Sequence, residues 1–551
     1  MRIKLIFPGR ELRDTEMVMK NHLVPSETLT AIAAATPPQH EVVVVDENVQ
    51  RLDLDDTPDL VGITVYTFLA PRAYKIADSY RSRGIHVVLG GLHVTGVPGD
   101  ALNHADTIFI GEAEVLWAGF LSDLERGNAQ RIYGPTFPSD LDALPFPRKD
   151  LLKKHKYFTT ASASGSRGCP YRCDYCFNSV RPKAPYRQRS IASLVRQIRD
   201  QGDSYYIFFD DNLTVDRSFA RALCRALKPL GIRWRCAASI DLGYDEELVR
   251  AMAESGCESI FIGFESINAG SLDESSKHHN RRLDYERLIG ILQRNNILIN
   301  AAFVFGFDHD TPSVFRETVQ FAIQNRLTSV NFHILTPFPG TCLYNRLMGE
   351  GRILTRDWSL YDTGHVVFRP KHLTPEELTM GYRRVYREFY SWRNILRRLP
   401  GHGPRYALRT LTFNIALKKM DWIWHTLQKW NLLYTTFHLY FRKSGAENPR
   451  IAFDSPGRAF VEPSQGDLPP ERRETANPLQ KGTEKMDITP KPSELPKPFL
   501  GKRPLTFKTA WMILLARQKP GRTGDERQGR AKRRKSGKAT VRVARFPQTV
   551  Q

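Results

Sequence analysis

Two successive α/β units followed by a helical C-terminal extension form the architecture this sequence predicts. The first is a doubly wound, Rossmann-like sheet; the second is a partial (β/α)6 TIM-like barrel. Three observations lead there. Short apolar runs alternate with amphipathic stretches over residues 1–135 and again over 166–345, the pattern of parallel strands joined by crossover helices. A stretch without periodicity, 136–165, flanked and punctuated by Pro135, Pro138, Pro145 and Pro147, separates the two series as a linker. Past residue 345 the strand pattern stops and a basic, helical composition takes over.

In the first series the apolar runs are Ile3–Phe7, Glu41–Val45, Leu60–Val65, His86–Leu89 and Thr107–Ile110, with a helix over Ala70–Ser82. Open parallel sheets bind ligands at the carboxyl ends of their strands. Those ends read Pro8-Gly9, Asp46-Glu47, Thr64-Val65-Tyr66-Thr67, Gly90-Gly91-Leu92-His93 and Gly111-Glu112. In the second series the strands are Ser204–Phe209, Arg233–Ala238, Ser259–Phe264, Leu298–Val304 and Ser329–Leu335, with one more near Ser162–Ser166. Helices over Ser190–Gln201, Ser218–Leu230, Asp245–Ser255, Asp284–Asn295 and Pro312–Asn325 separate them, giving six units that can curl into a partial barrel. Residues 346–445 form the helical extension, and 446–551 a disordered basic tail rich in Pro, Lys and Arg.

Composition narrows the function. The 551 residues carry a net charge of +21. Residues 501–551 hold fifteen Lys and Arg against two acidic residues, which is +13 and leaves +8 for the first 500. No specific nucleic-acid partner is therefore demanded by the body of the protein. The N-terminal strand does not read as a signal peptide, and no window of 18 apolar residues offers a membrane span. Seven cysteines in such a chain point to a reducing, cytoplasmic setting rather than a disulfide framework.

Three of the seven crowd into Gly168-Cys169-Pro170-Tyr171-Arg172-Cys173-Asp174-Tyr175-Cys176, a C-x3-C-x2-C loop just after a strand. Three thiolates on one tight loop can hold three irons of a 4Fe–4S cube and leave the fourth open, as a catalytic metal keeps a vacant position. The competing reading is a structural zinc or cluster site, which would want a fourth Cys or His at regular spacing. Cys224, Cys236, Cys257 and Cys342 read as ordinary thiols.

The loop, with Tyr175 before its last cysteine and a six-unit α/β domain behind it, resembles the radical SAM superfamily. The resemblance implies that Cys169, Cys173 and Cys176 hold the cluster. It also implies that S-adenosylmethionine (SAM) is bound at the open iron and cleaved to a 5′-deoxyadenosyl radical. Phe209-Asp210-Asp211-Asn212 and Gly263-Phe264-Glu265-Ser266 stand at strand ends that the family uses for the SAM amino group and ribose, which makes Asp210, Asp211, Asn212, Glu265 and Ser266 candidates. The alternative for Asp210 and Asp211 is helix N-capping.

The first unit resembles the cobalamin-binding domain of one radical SAM subclass, through Asp59–Ala77, Val87–Thr95 and Asp106–Glu114 in order. On that resemblance Thr64, Tyr66, Thr67, Gly90, Gly91, His93, Gly111 and Glu112 are expected to line the cobalamin site. The cobalt-ligating Asp-x-His-x-x-Gly signature is absent, so the lower cobalt face is open or covered, with Tyr66 the candidate cover. Further on, Thr336-Pro337-Phe338-Pro339-Gly340-Thr341, Gly351–Trp358 and His365–Pro370 resemble the branch that includes the hopanoid C-2 methylases, with Cys342 where that branch has Pro.

The implied function is C-methylation of an unactivated carbon in a small molecule, lipid or secondary metabolite. Its electrons would come from a donor such as flavodoxin or ferredoxin. Two rivals stay open: cobalamin-dependent radical cyclisation, rearrangement or oxidation without methyl transfer, and a non-catalytic cobalamin or redox sensor. The basic, aromatic segment 406–443 suits either an interfacial helix at the inner membrane face or an amphipathic helix packed on the barrel.

Overall fold

The computed structural model describes residues 1–10, 24–180, 184–277, 284–399 and 403–417. The first sheet holds β1 (Arg2–Phe7), β2 (Glu41–Asp46), β3 (Leu60–Thr64), β4 (His86–Gly90), β5 (Thr107–Gly111) and β6 (Ile132–Thr136). All are parallel, in the order β2-β1-β3-β4-β5-β6. The order reverses between β1 and β3, so this doubly wound sheet has its switch point there. β3 is buried along its whole length because helices cover both faces of the sheet.

β6 corrects the sequence reading, which ended its strands at Ile110. Its sequence IYGPT shows no apolar alternation and lies mostly exposed. A strand with Gly134 and Pro135 in it survives only at an edge, where the missing N–H faces away from the sheet.

The second part contains β7 (Ser162–Ala163), β8 (Ser166–Arg167), β9 (Arg187–Gln188), β10 (Tyr205–Phe208), β11 (Arg233–Ala238), β12 (Cys257–Glu265), β13 (Leu298–Phe305) and β14 (Ser329–Ile334). Its six-stranded sheet runs β14-β13-β12-β11-β10-β7, parallel and in chain order. Right-handed crossovers in constant order curl a sheet into a partial barrel. The expected strand Ser162–Ser166 is split: only Ser162 and Ala163 join the barrel, while Ser166 and Arg167 pair antiparallel with Gln188 and Arg187.

Burial explains the strands. Ile260, Ile262, Ile299, Ala301, Phe303, Val330 and Phe332 are fully enclosed in the barrel core, each large side chain contributing about 1.5–3 kcal/mol. Side-chain caps start the crossover helices, with Ser190, Asp216, Asp245 and Asp284 each accepting a backbone N–H of the first turn. Such a cap contributes about 1 kcal/mol.

The extension closes the open edge of the barrel. Its helix Pro375–Phe389 begins in a capping box at Thr374 and Glu377. Tyr386 and the following Tyr390 each donate from and accept at their hydroxyls, to the carbonyls and N–H groups of Phe332 and Val330 on edge strand β14. Beneath them Arg398, fully buried, donates to the carbonyls of Leu327, Thr328 and Phe389 and stacks 3.7 Å over the Phe389 ring. No helix among the described residues is long and apolar enough to cross a membrane. The expected disordered tail, and most of the 406–443 segment, lie outside the described residues.

Candidate functional site

The cysteine loop grows from the β8–β9 ribbon. Gly168 opens it at φ +81°, and a Cβ there would sit 2.5 Å from the Pro185 carbonyl oxygen, so only glycine makes this turn. Three backbone bonds seat the loop. The Asp174 N–H donates to Ser275 O, the Cys176 N–H to Cys173 O, and the Leu343 N–H to Asp174 O. The three cysteines are half-buried and in no disulfide. Burial pushes the Cys173 thiol up to about 11 and the Cys176 thiol to about 12, and each feels the nearby Cys169. Such thiols are poor thiolates until a metal takes the proton's place.

Among the described residues no three Cys, His, Asp or Glu side chains converge as they would on a single ion. Three thiols on one loop would take three corners of a 4Fe–4S cluster and leave its fourth iron open.

Facing the loop is the carboxyl end of β12. The register between β12 and β13 shifts between Gly263 and Glu265, and Glu265 adopts φ +65°. A non-glycine residue held there stores strain of the kind found at functional positions. Its carboxylate accepts from Lys277 Nζ at 2.6 Å and from the Tyr175 hydroxyl. Lys277 also donates to Gly263 O and lies close enough to Cys173 to favour its thiolate. Glu265, Tyr175, Lys277 and Cys173 therefore form one connected group.

The other sequence-predicted residues of this rim divide. Asp211 is exposed, beside Asn178 and the Gly168 backbone. Asp210 is buried instead: it accepts from Gly165 N–H and the Ser166 hydroxyl, and desolvation raises its carboxyl to about 7. It braces the root of the cysteine loop. Asn212 is likewise turned inward, donating to Ser239 and accepting from Thr214. Ser266 is buried, its hydroxyl accepting from Asn268 N–H.

The first sheet's rim is built from backbone. Gly91 takes φ +108°, and a Cβ there would meet Val65 and Thr64 atoms at 3.0–3.1 Å. Gly90 and Gly111 end their strands, the Gly111 N–H bonded to Thr95. Thr64 and Thr67 are buried, and Tyr66 is half-buried between the Phe7 and Phe68 rings. This glycine-lined rim beside the switch point fits a broad, flat ligand that must approach the main chain. His93 does not face it. The ring is fully buried, its nitrogens 3.3 Å from Thr67 and Asp100. Glu112 points away as well, to the guanidinium groups of Arg167 and Arg187.

Between the two rims runs a strap, residues 352–369. Trp358 donates to Asp100 at 2.9 Å and meets the His93 ring edge-on. Asp362 pairs with Arg10 at the end of β1 and with His365. Thr363 accepts from the Ile334 N–H and bonds His333 at the end of β14. Lys277, Arg187 and Arg10 carry no local sequence signal, and Trp358 only its place in the Gly351–Trp358 stretch. Arg167 has one, its position two residues before Cys169.

Comparison with known proteins gives the family and the fold. The radical SAM superfamily profile matches residues 164–322, and a domain of unknown function, DUF4070, matches 341–442. Bacteriochlorophyllide d C-12(1)-methyltransferase of Chlorobaculum tepidum is 30% identical over 66% of this chain and 78% of its own length. Hopanoid C-2 methylase of Rhodopseudomonas palustris is 26% identical over 61% of this chain and 66% of its own. The radical SAM methyltransferase TsrM of Kitasatospora setae, solved with cobalamin and a 4Fe–4S cluster, superposes with a TM-score of 0.56 over 80% of this chain and 99% of its own. Its sequence is 16% identical, so this likeness is one of fold.

Proposed function

The chain belongs to the radical SAM superfamily, and on that premise we propose that it is a cobalamin-dependent radical SAM methyltransferase acting on an unactivated carbon. One observation carries the reading: a three-thiol loop and a glycine-lined switch-point rim stand on two sheets bridged by one strap. When bound, the cluster with SAM supplies hydrogen-atom abstraction and cobalamin supplies the methyl group.

The chain's own residues hold and shield. Cys169, Cys173 and Cys176 ligate the cluster. Asp211, exposed beside the loop, and Glu265, fixed by Lys277 and Tyr175, offer carboxylates to the ammonium and hydroxyl groups of SAM. Thr64, Thr67, Gly90, Gly91 and Gly111 would line the corrin site, with Tyr66 beside it. The strap, with Trp358 and His365, shields the gap from water. The units 1–135, 166–345 and 346–445 divide these tasks.

A product count tests the proposal. Reconstituted protein with hydroxocobalamin, SAM, reductant and a lipid extract is expected to form 5′-deoxyadenosine and S-adenosylhomocysteine in about equal amounts, as methyl transfer requires. 5′-Deoxyadenosine alone would mean cyclisation, rearrangement or oxidation. Bound cobalamin without either product would mean a sensor.

An external donor of flavodoxin or ferredoxin type supplies the electron, and the extension rests on the cytoplasmic membrane face. Helix Trp392–Arg397 turns Trp392, Arg393, Leu396 and Arg397 outward, and Leu408 of helix Pro404–Leu417 is exposed nearby in sequence. Residues 392–417 contain no Asp or Glu. Apolar anchors set among arginines suit an anionic lipid surface and favour a lipid-borne substrate. Flotation with phosphatidylglycerol vesicles is expected to carry the full chain and to carry a Trp392→Ser/Leu396→Ser/Leu408→Ser variant several-fold less. Equal flotation would assign any binding to the basic tail.

A further inference from the structure

The acidic end of β5 and the cysteine loop meet in a four-residue ion cluster that neither cofactor reading explains. Arg167 and Arg187 stand directly opposite each other in the β8–β9 ribbon. They are the two ends of the loop that carries Cys169, Cys173 and Cys176. Two guanidinium groups side by side repel across a ribbon. Here they do not, because carboxylates from the other sheet sit between them. Glu112 accepts from Arg187 at 2.6 Å and from Arg167 at 2.7 Å, and Glu114 accepts from Arg167 at 2.9 Å.

The cluster is well supported. The Arg187 side chain is about 5% exposed and Glu114 about 10%. Arg187 also donates to the carbonyls of Pro138 and Pro185, and Pro185 is the residue on which Gly168 closes. The Glu112 N–H is tied to Thr136 O on β6. The Glu112 side chain is thus fixed to the first sheet at one end and to both ends of the loop at the other.

We infer that Glu112 and Glu114 are positioning residues for the cluster loop. They act from the rim of the first sheet through Arg167 and Arg187, and they do not contact the corrin. The first sheet thereby takes part in holding the cluster. Removing the Glu112 charge leaves the buried Arg187 and half-buried Arg167 guanidinium groups with one carboxylate, and the neck of the loop opens. The inference rests on reading the loop as the cluster site.

The test uses full-length wild type, Glu112→Gln and Glu112→Asp, reconstituted with iron and sulfide. Two readouts are taken: the half-life of the visible cluster band under chelator, and hydroxocobalamin affinity by spectral titration. Glu112→Gln is expected to lose the cluster at least fivefold faster, with cobalamin affinity within twofold of wild type and Glu112→Asp in between. Wild-type cluster retention in Glu112→Gln would overturn the inference, whether or not cobalamin affinity changes. Should that variant fail to fold, Arg187→Lys, which keeps the charge but not the two-pronged contact, is expected to shorten the half-life in the same direction. If wild type took up no more iron than Cys173→Ala, the reading of the loop would fall, and this inference with it.

Discussion

The two carboxyl rims of this molecule are held by different forces. The barrel rim is braced by charge. Glu265 is bonded to Lys277, and Asp308 to Arg346, Arg352 and Lys371. The first sheet's rim has ion pairs at its margins, Arg10 with Asp362 and Glu112 with the two arginines of the loop, but its glycine-lined stretch is braced by backbone and rings: Gly91 against Val65, Gly96 against Pro339 and Gly340, Trp358 against His93. Buried ion pairs fix orientation and punish the loss of one partner. Close main-chain packing tolerates no added atom but has little sensitivity to pH. One rim therefore suits a small, highly charged group, and the other a broad, flat one.

The comparison can be broken most sharply by single substitutions with opposite signatures. Cys173→Ala is expected to abolish cluster incorporation while leaving hydroxocobalamin affinity within twofold. Gly91→Ala should do the reverse, losing cobalamin affinity tenfold or more with normal iron content, since its Cβ would strain a φ +108° backbone. Iron assay and spectral titration on the same preparations decide both.

The next largest effect is expected at Glu265. Glu265→Gln strands Lys277 in a buried place, costing about 3 kcal/mol of stability, and lowers turnover by more than tenfold. Adding Lys277→Met should restore much of the stability, read by denaturant melts, and none of the turnover. Recovery of both would reduce Glu265 to a structural role.

Charge bracing also predicts a pH window. Burial opposes ionisation of Asp308, but its three cationic partners outweigh that and hold its carboxyl well below the usual range. A depressed folded value means the stabilisation is complete above the unfolded carboxyl pKa near 4 and is lost as pH falls below it. Asp308→Asn should cost about 2 kcal/mol at pH 7, with the difference in Tm shrinking between pH 5 and pH 3. On the other rim, Trp358→Phe removes one bond to Asp100 and should cost only about 1 kcal/mol at pH 7.

Legibility in the sequence followed distance along the chain. The cysteine loop, both strand series and their carboxyl ends were readable because each rests on neighbours a few residues apart. β6 was not, since an exposed edge strand needs no apolar pattern. Asp210 and Asn212 sit where expected but bond inward, because a strand end offers a side chain two directions and only packing decides between them. His93 and Glu112 likewise bond to partners on helices and strands that no local pattern connects to them. Trp358 finds Asp100 from 258 residues away, and Arg10 finds Asp362 from 352.

That last separation sets a schedule for biosynthesis. All six strands of the first sheet lie within the first 136 residues, so the sheet can close while most of the chain is unmade. The Trp358 and Asp362 that cross its rim leave the ribosome more than 220 residues later, on the order of ten to forty seconds at ordinary translation rates. Through that interval the rim is uncovered on a nascent chain. A bulky ligand can settle before the strap arrives, whereas the cysteine loop cannot be braced from both sides until later strands exist. The covalent order of the chain thus writes an order of loading.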